Sequence, residues 1–166
     1  LTLISIAGAF LAFRVERERE ERRHAESISE RLRFLNELAA VFDRPIDAPQ
    51  LLQELTDRLR LNLELDLAWV RYQPVEHPAG VQLTTSGDAA AAGLDPDAVG
   101  SAAAELMARA DRTWITVGDM VVVALGYEGR FMGALGAVRH SRPLDDDERG
   151  TLTAAAAQAS VSLENQ

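Results

Sequence analysis

Three histidines, two tryptophans, a Thr-Thr-Ser cluster and a run of three aspartates are the residues whose chemistry could reach beyond packing. His24 lies in ERRHAESISERL, where a phosphoacceptor histidine could sit on a helix, but such motifs place an acidic residue directly after the histidine and Ala25 follows here. His77, between Glu76 and Pro78, and His140, after a strand-like run, are isolated, and a single histidine is a weak signal for heme. Asp145, Asp146 and Asp147 are consecutive, so on a helix end their carboxylates diverge and read as a helix start, not a metal cluster. Ser86 in TTSGD lacks the GxSxG context of an activated nucleophile, and Asp66, Glu76 and Asp88 have no spacing that marks an acid–base pair.

Two residue types are absent altogether. Without cysteine the chain has no disulfide, no thiolate metal site and no thioether-linked pigment. All 17 basic residues besides histidine are arginine, so Schiff-base chemistry and a P-loop lysine are excluded. The expectation is a chain that is not an enzyme and carries no metal and no cofactor, with an unidentified small-molecule effector left open.

The charge is unevenly laid out. Residues 14–44 balance eight Arg against eight Asp/Glu, whereas residues 45–166 hold nine Arg against eighteen, which accounts for the formal net charge of -9. A body of that sign repels phosphate backbones, so nucleic acid is not an expected partner. Composition, 47% hydrophobic and 26% charged over 166 residues, fits one globular domain with an appendage.

The appendage comes first. LTLISIAGAFLAF, residues 1–13, is uncharged and as a helix would reach ~20 Å, short of the ~30 Å hydrocarbon layer. Arg14, Arg17, Arg19, Arg22 and Arg23 follow at once, the arginine excess of a cytoplasmic flank. Residues 1–13 are therefore expected to be the end of a transmembrane helix, placing the rest on the cytoplasmic side of the membrane; a packed N-terminal helix is the alternative. Residues 14–44 read as a charged signalling helix. Within it Ala25, Ile28, Leu32, Leu35, Ala39 and Phe42 recur at alternating spacings of 3 and 4, a coiled-coil seam that predicts a homodimer through Ile28, Leu32, Leu35, Ala39 and Phe42. The same seam could lie on the domain body, and different faces of one helix can do both.

Asp43-Arg44-Pro45 ends that helix. The body, residues 45–166, opens with a helix capped by Asp47, then strands at 66–73 and 80–86, a small-residue loop from Gly87 to Gly93, and a helix from Asp95 to Ala110. Strands at 113–117, 120–127 and 130–140, linked by two residues each, predict an antiparallel meander. A final helix starts at Asp145 with Glu148 three residues on, a capping-box pattern. The fold class is α+β: an antiparallel sheet of about five or six strands with helices on one face, preceded by a long N-terminal helix.

Residues 34–166 resemble the GAF domain of bacterial signalling proteins, first in LNELAAVFD and LLQELTDRLRLNLELDLAWVRY, and most specifically in GRFMGALGAVRHSRPLDDDERGTLTAAAAQASVSLEN. In that closing pattern Gly133 and Gly136 leave room for close helix packing or for a ligand. The resemblance implies a sensory domain, often dimeric, with a small-molecule pocket between the sheet and the inserted residues 84–112. Its candidate lining is Trp69, Tyr72, Thr84, Thr85, Ser86, Trp114, Thr116 and Met132, although strand-borne tryptophans are more often core. The absence of cysteine and lysine departs from the bilin-binding, sulfoxide-reducing and cyclic-nucleotide-binding relatives. The implied setting is a two-component or cyclic-dinucleotide system whose output domain lies outside this chain, with a ligand-free dimerisation and relay module as the alternative. A cavity of ~300–1,000 Å³ at those residues would favour sensing, and a filled core relay.

Overall fold

The computed structural model describes residues 2–74, 80–109 and 113–165, with the side chains of 2–13 and of Pro96 outside the description. It divides into two compact units, Leu1–Asn36 and Glu37–Gln166. Helix α1 (Thr2–Phe42) runs unbroken through the apolar start, the charged stretch and the seam. No described helix is long and apolar enough to cross a membrane.

In the second unit, α2 (Ala48–Asn62) begins where Asp47 accepts a hydrogen bond from the Gln50 amide at 2.9 Å, and it buries Leu51, Leu52, Leu55 and Leu59 along one side. Strands β1 (Leu67–Tyr72) and β2 (Gln82–Gly87) follow, then α3 (Pro96–Ala108), which Asp95 caps. Strands β3 (Trp114–Val117), β4 (Met120–Tyr127) and β5 (Arg130–Val138) form the expected meander, and α4 (Asp146–Glu164) starts with a complete capping box between Asp145 and Glu148.

All five strands pair antiparallel in the order β2-β1-β5-β4-β3. The meander is thus extended by β1, which lies against β5 and makes the last strand central. Because side chains alternate across a strand, β1 serves two layers. Leu67 and Trp69 join Val99, Ala102, Ala103 and Leu106 of α3 in one apolar cluster with Val122, Ala134 and Val138. The opposite face meets α2 and α4: Ser86 bonds Arg60 of α2, and the Gly126 amide bonds Ser160 of α4. The helices therefore cover both faces, which corrects the one-sided arrangement expected from element order alone. The reason is that β1, β4 and β5 are apolar in both phases, a pattern that requires cover on each side.

Pairing slips by one residue between Leu125 and Gly126 opposite Phe131 to Gly133, a bulge in the β4–β5 ladder. The Gly126 N–H donates to Ser160 Oγ at 3.0 Å, and Ser160 in turn donates to the Ala156 carbonyl at 2.7 Å. A helix side chain thus satisfies a sheet amide at the irregularity and fixes α4 against β4.

Candidate functional site

The eight residues that the resemblance nominated for a pocket do not converge. Trp69 pairs with Thr85 and Gly136, and these two neighbours share its face beneath α3. Tyr72, three positions along β1, faces the other way; its phenol is pushed up in pKa by burial and by the Glu164 carboxylate. Thr84 pairs with Val70 and Ser86 with Ala68, also on the α2–α4 side, and Ser86 Oγ accepts from Arg60 Nε at 3.1 Å. Trp114 and Thr116 alternate with Ile115, which belongs to the α3 cluster, so they face α4. There the Arg149 guanidinium lies 4.9 Å from the centre of the Trp114 ring. Met132 is buried at the β4–β5 bulge. Alternation was readable in each strand, but not which of two apolar phases faced α3.

The space beneath α3 is occupied by the protein itself. Trp69 is wholly buried, and its indole lies across Gly136 so closely that a Cβ on that glycine would overlap the ring. Gly133 is used differently, since its missing side chain makes room for the Arg71 carbonyl. Neither glycine opens onto a helix or a ligand. One polar atom in this core lacks a partner: Trp69 Nε1 is shielded from water and donates to nothing among the described residues.

Hollows bordered by described residues lie elsewhere. One, of about 470 Å³, runs between the end of α1 and the last turns of α4, lined by Ala39, Phe42, Ile46, Gln158 and Val161. A second of about 290 Å³ lies beside Arg142 and Arg149, and a third of about 250 Å³ between the loop before α3 and the β3–β4 turn. Of the eight candidates only Thr116 lines any of them, the second.

The seam residues of α1 behave differently from the candidates for a pocket. Ile28 and Leu32 are 46% and 56% exposed, while Leu35, Ala39 and Phe42 are partly covered. Leu38 and Val41, interleaved with them in sequence, are buried. His24 is exposed, His140 Nδ1 is 3.2 Å from Asp119 Oδ2, and His77 lies outside the described residues. No group of three metal-ligating side chains occurs among the described residues.

Sequence reasoning missed Arg139. It directly follows the last strand, yet its side chain is only 3% exposed and its guanidinium holds Glu148 through contacts of 2.9 and 2.6 Å. It also donates to the carbonyls of Leu63, Arg142 and Pro143. Glu148 was visible only as a capping residue; nothing local in the sequence links it to a strand nine positions earlier.

No family model and no curated protein matches the sequence. Solved structures do match. The GAF domain of an Acinetobacter phosphoenolpyruvate-protein phosphotransferase superposes with a TM-score of 0.60 at 13% identity, covering 81% of this chain and 93% of that one. Residues 122 to 287 of a methyl-accepting chemotaxis protein also give 0.60, at 15% identity, covering 77% and 95%. A cyanobacteriochrome GAF domain gives 0.57 at 15% identity, covering 75% and 93%. Element order, the β2-β1-β5-β4-β3 sheet and these superpositions agree, and the chain has the GAF fold.

Proposed function

We propose that this chain is a non-catalytic regulatory domain of a bacterial signal-transduction protein, which relays a conformational change through a homodimeric α1 helix to an output domain outside the chain. The observation that carries this reading is the apolar stripe of α1. Ile28 and Leu32 stand in water among the charged residues of that part of the helix, at the spacing that two copies would bury. The structures it resembles include a chemotaxis protein and a cyanobacteriochrome domain, both consistent with signalling. The core beneath α3, filled by Trp69, favours relay over ligand sensing in that space. Residues 1–13, followed by their arginine flank, would tether the dimer at the cytoplasmic face of the inner membrane, with a histidine kinase or a cyclic-dinucleotide enzyme as output. The acidic body argues against nucleic acid as a partner.

The absence of native cysteine makes the test simple. Leu32→Cys should give a disulfide-linked dimer under mild oxidation, and Arg33→Cys, one position off the stripe, should not. Equal cross-linking of both variants, or of neither, would contradict the seam.

A second reading, a small flat effector entering the α3 core, is favoured by the unpartnered Trp69 Nε1, which a ligand acceptor could satisfy. A thermal-shift screen of aromatic metabolites tests it: a hit whose shift disappears in Trp69→Phe supports sensing. No hit leaves relay alone.

A further inference from the structure

The hollow of about 290 Å³ lies where the β3–β4 turn, the end of β5, the β5–α4 connection and the start of α4 meet. Arginine is concentrated in its lining: Arg139, Arg142 and Arg149 border it, together with His140 and the Asp119 carboxylate. Glu148 lies close by, but Arg139 and Arg142 both hold it. Asp145 and Asp146 also pair here, with side chains 61% and 95% exposed, where water and salt screen them.

Donor accounting separates the three arginines. A guanidinium has five N–H groups. Arg139 uses all of them on Glu148 and on the carbonyls of Leu63, Arg142 and Pro143, so it is a structural clamp. Arg142 gives Glu148 one bond from each terminal nitrogen, at 3.1 and 2.8 Å, and keeps the rest. Arg149 bonds the Leu144 carbonyl and the Asp146 carboxylate, and its Nε is shut off from water with no acceptor among the described residues. The Trp114 ring beneath it holds the guanidinium plane in place. Two arginines, each with unused N–H groups on its terminal nitrogens, therefore border a single hollow.

We infer that this hollow binds a compact oxyanion of the phosphate class through the unused N–H groups of Arg142 and Arg149. Planar guanidinium forks match the oxygens of such an anion, and a space of this size takes one together with several waters, each needing about 30 Å³. Bound there, it would join the connection after β5 to the start of α4, and so stabilise the beginning of that helix.

Inorganic phosphate is the probe. The full chain is titrated with phosphate against sodium chloride of matched ionic strength, following thermal unfolding and, independently of stability, phosphorus NMR line width. A saturable rise in Tm with line broadening is expected for phosphate and not for chloride. Arg142→Gln and Arg149→Gln should each weaken the apparent affinity at least tenfold, with unchanged far-UV circular dichroism, while Arg58→Gln on α2 leaves it unaltered. Identical responses to phosphate and chloride, or a phosphate response that survives both substitutions, would overturn the site.

Discussion

The guanidinium of Arg139 clasps the carboxylate of Glu148 with both terminal nitrogens, at 2.9 and 2.6 Å, and only 3% of the arginine side chain reaches water. The same arginine takes up the Leu63 carbonyl at the end of α2, at 2.8 Å, and Glu148 closes the capping box by accepting from the Asp145 amide at 2.9 Å. One ion pair thus joins the end of α2, the end of β5 and the start of α4. Burial pushes the Glu148 carboxyl up, but hydrogen bonds from Arg139 and Arg142 outweigh it and hold the pKa at about 2, against an ordinary 4.5.

That depression fixes the sign of a pH effect. A carboxylate with a folded pKa below its unfolded one adds stability that is complete above the unfolded value and lost as pH falls through the folded one. The Tm should therefore drop between about pH 4.5 and pH 2, and Glu148→Gln should flatten that part of the curve. At neutral pH Glu148→Gln should destabilise the domain by about 3 kcal/mol, because Arg139 is left charged and buried without its carboxylate. Denaturant melts of both proteins across the acid range check the two statements together.

Gly136→Ala should cost about 1–3 kcal/mol, since the added methyl needs space that the Trp69 indole fills. A smaller ring opposite should relieve part of that cost, so the Trp69→Phe, Gly136→Ala double variant should be less destabilised than the sum of the single changes. A double-mutant cycle by urea unfolding measures the coupling; additive losses would mean that the ring and the glycine are not in contact.

Ser160→Ala removes the acceptor for the Gly126 amide at the bulge. The bond is only part-buried, and losing one of this kind costs about 0.5–1.5 kcal/mol, so a loss in that range is expected. Hydrogen exchange at Gly126 should quicken well before the rest of β4, which distinguishes local release of the bulge from general loosening.

Much of this architecture was legible in the residues. The caps Asp47, Asp95 and Asp145 each take the expected backbone amide, because capping depends on neighbours two or three positions away. The meander was legible because two-residue links leave its strands no other arrangement. The pairing of β1 with β5 was not, since residues 67 and 138 are distant in sequence and no local signal joins them. The candidate pocket failed to converge for a related reason: Trp69 and Tyr72 were grouped by residue type, and an odd spacing on a strand sends them to opposite faces. The roles of Gly133 and Gly136 needed the partner strand, where a carbonyl and an indole, not a helix or a ligand, take the space.

Dimerisation through α1 is the claim on which the relay reading depends, and sedimentation velocity tests it most directly. A form beginning at Arg14 should sediment as a dimer at tens of micromolar. Leu32→Asp should sediment as a monomer, because an unpaired carboxylate in the seam costs several kcal/mol, whereas at an exposed position of an isolated chain the change stays within about 0.5 kcal/mol. Its far-UV circular dichroism and Tm at low concentration should match the unaltered monomer. A parent protein that is monomeric throughout, or a Leu32→Asp variant that remains dimeric, would contradict the account.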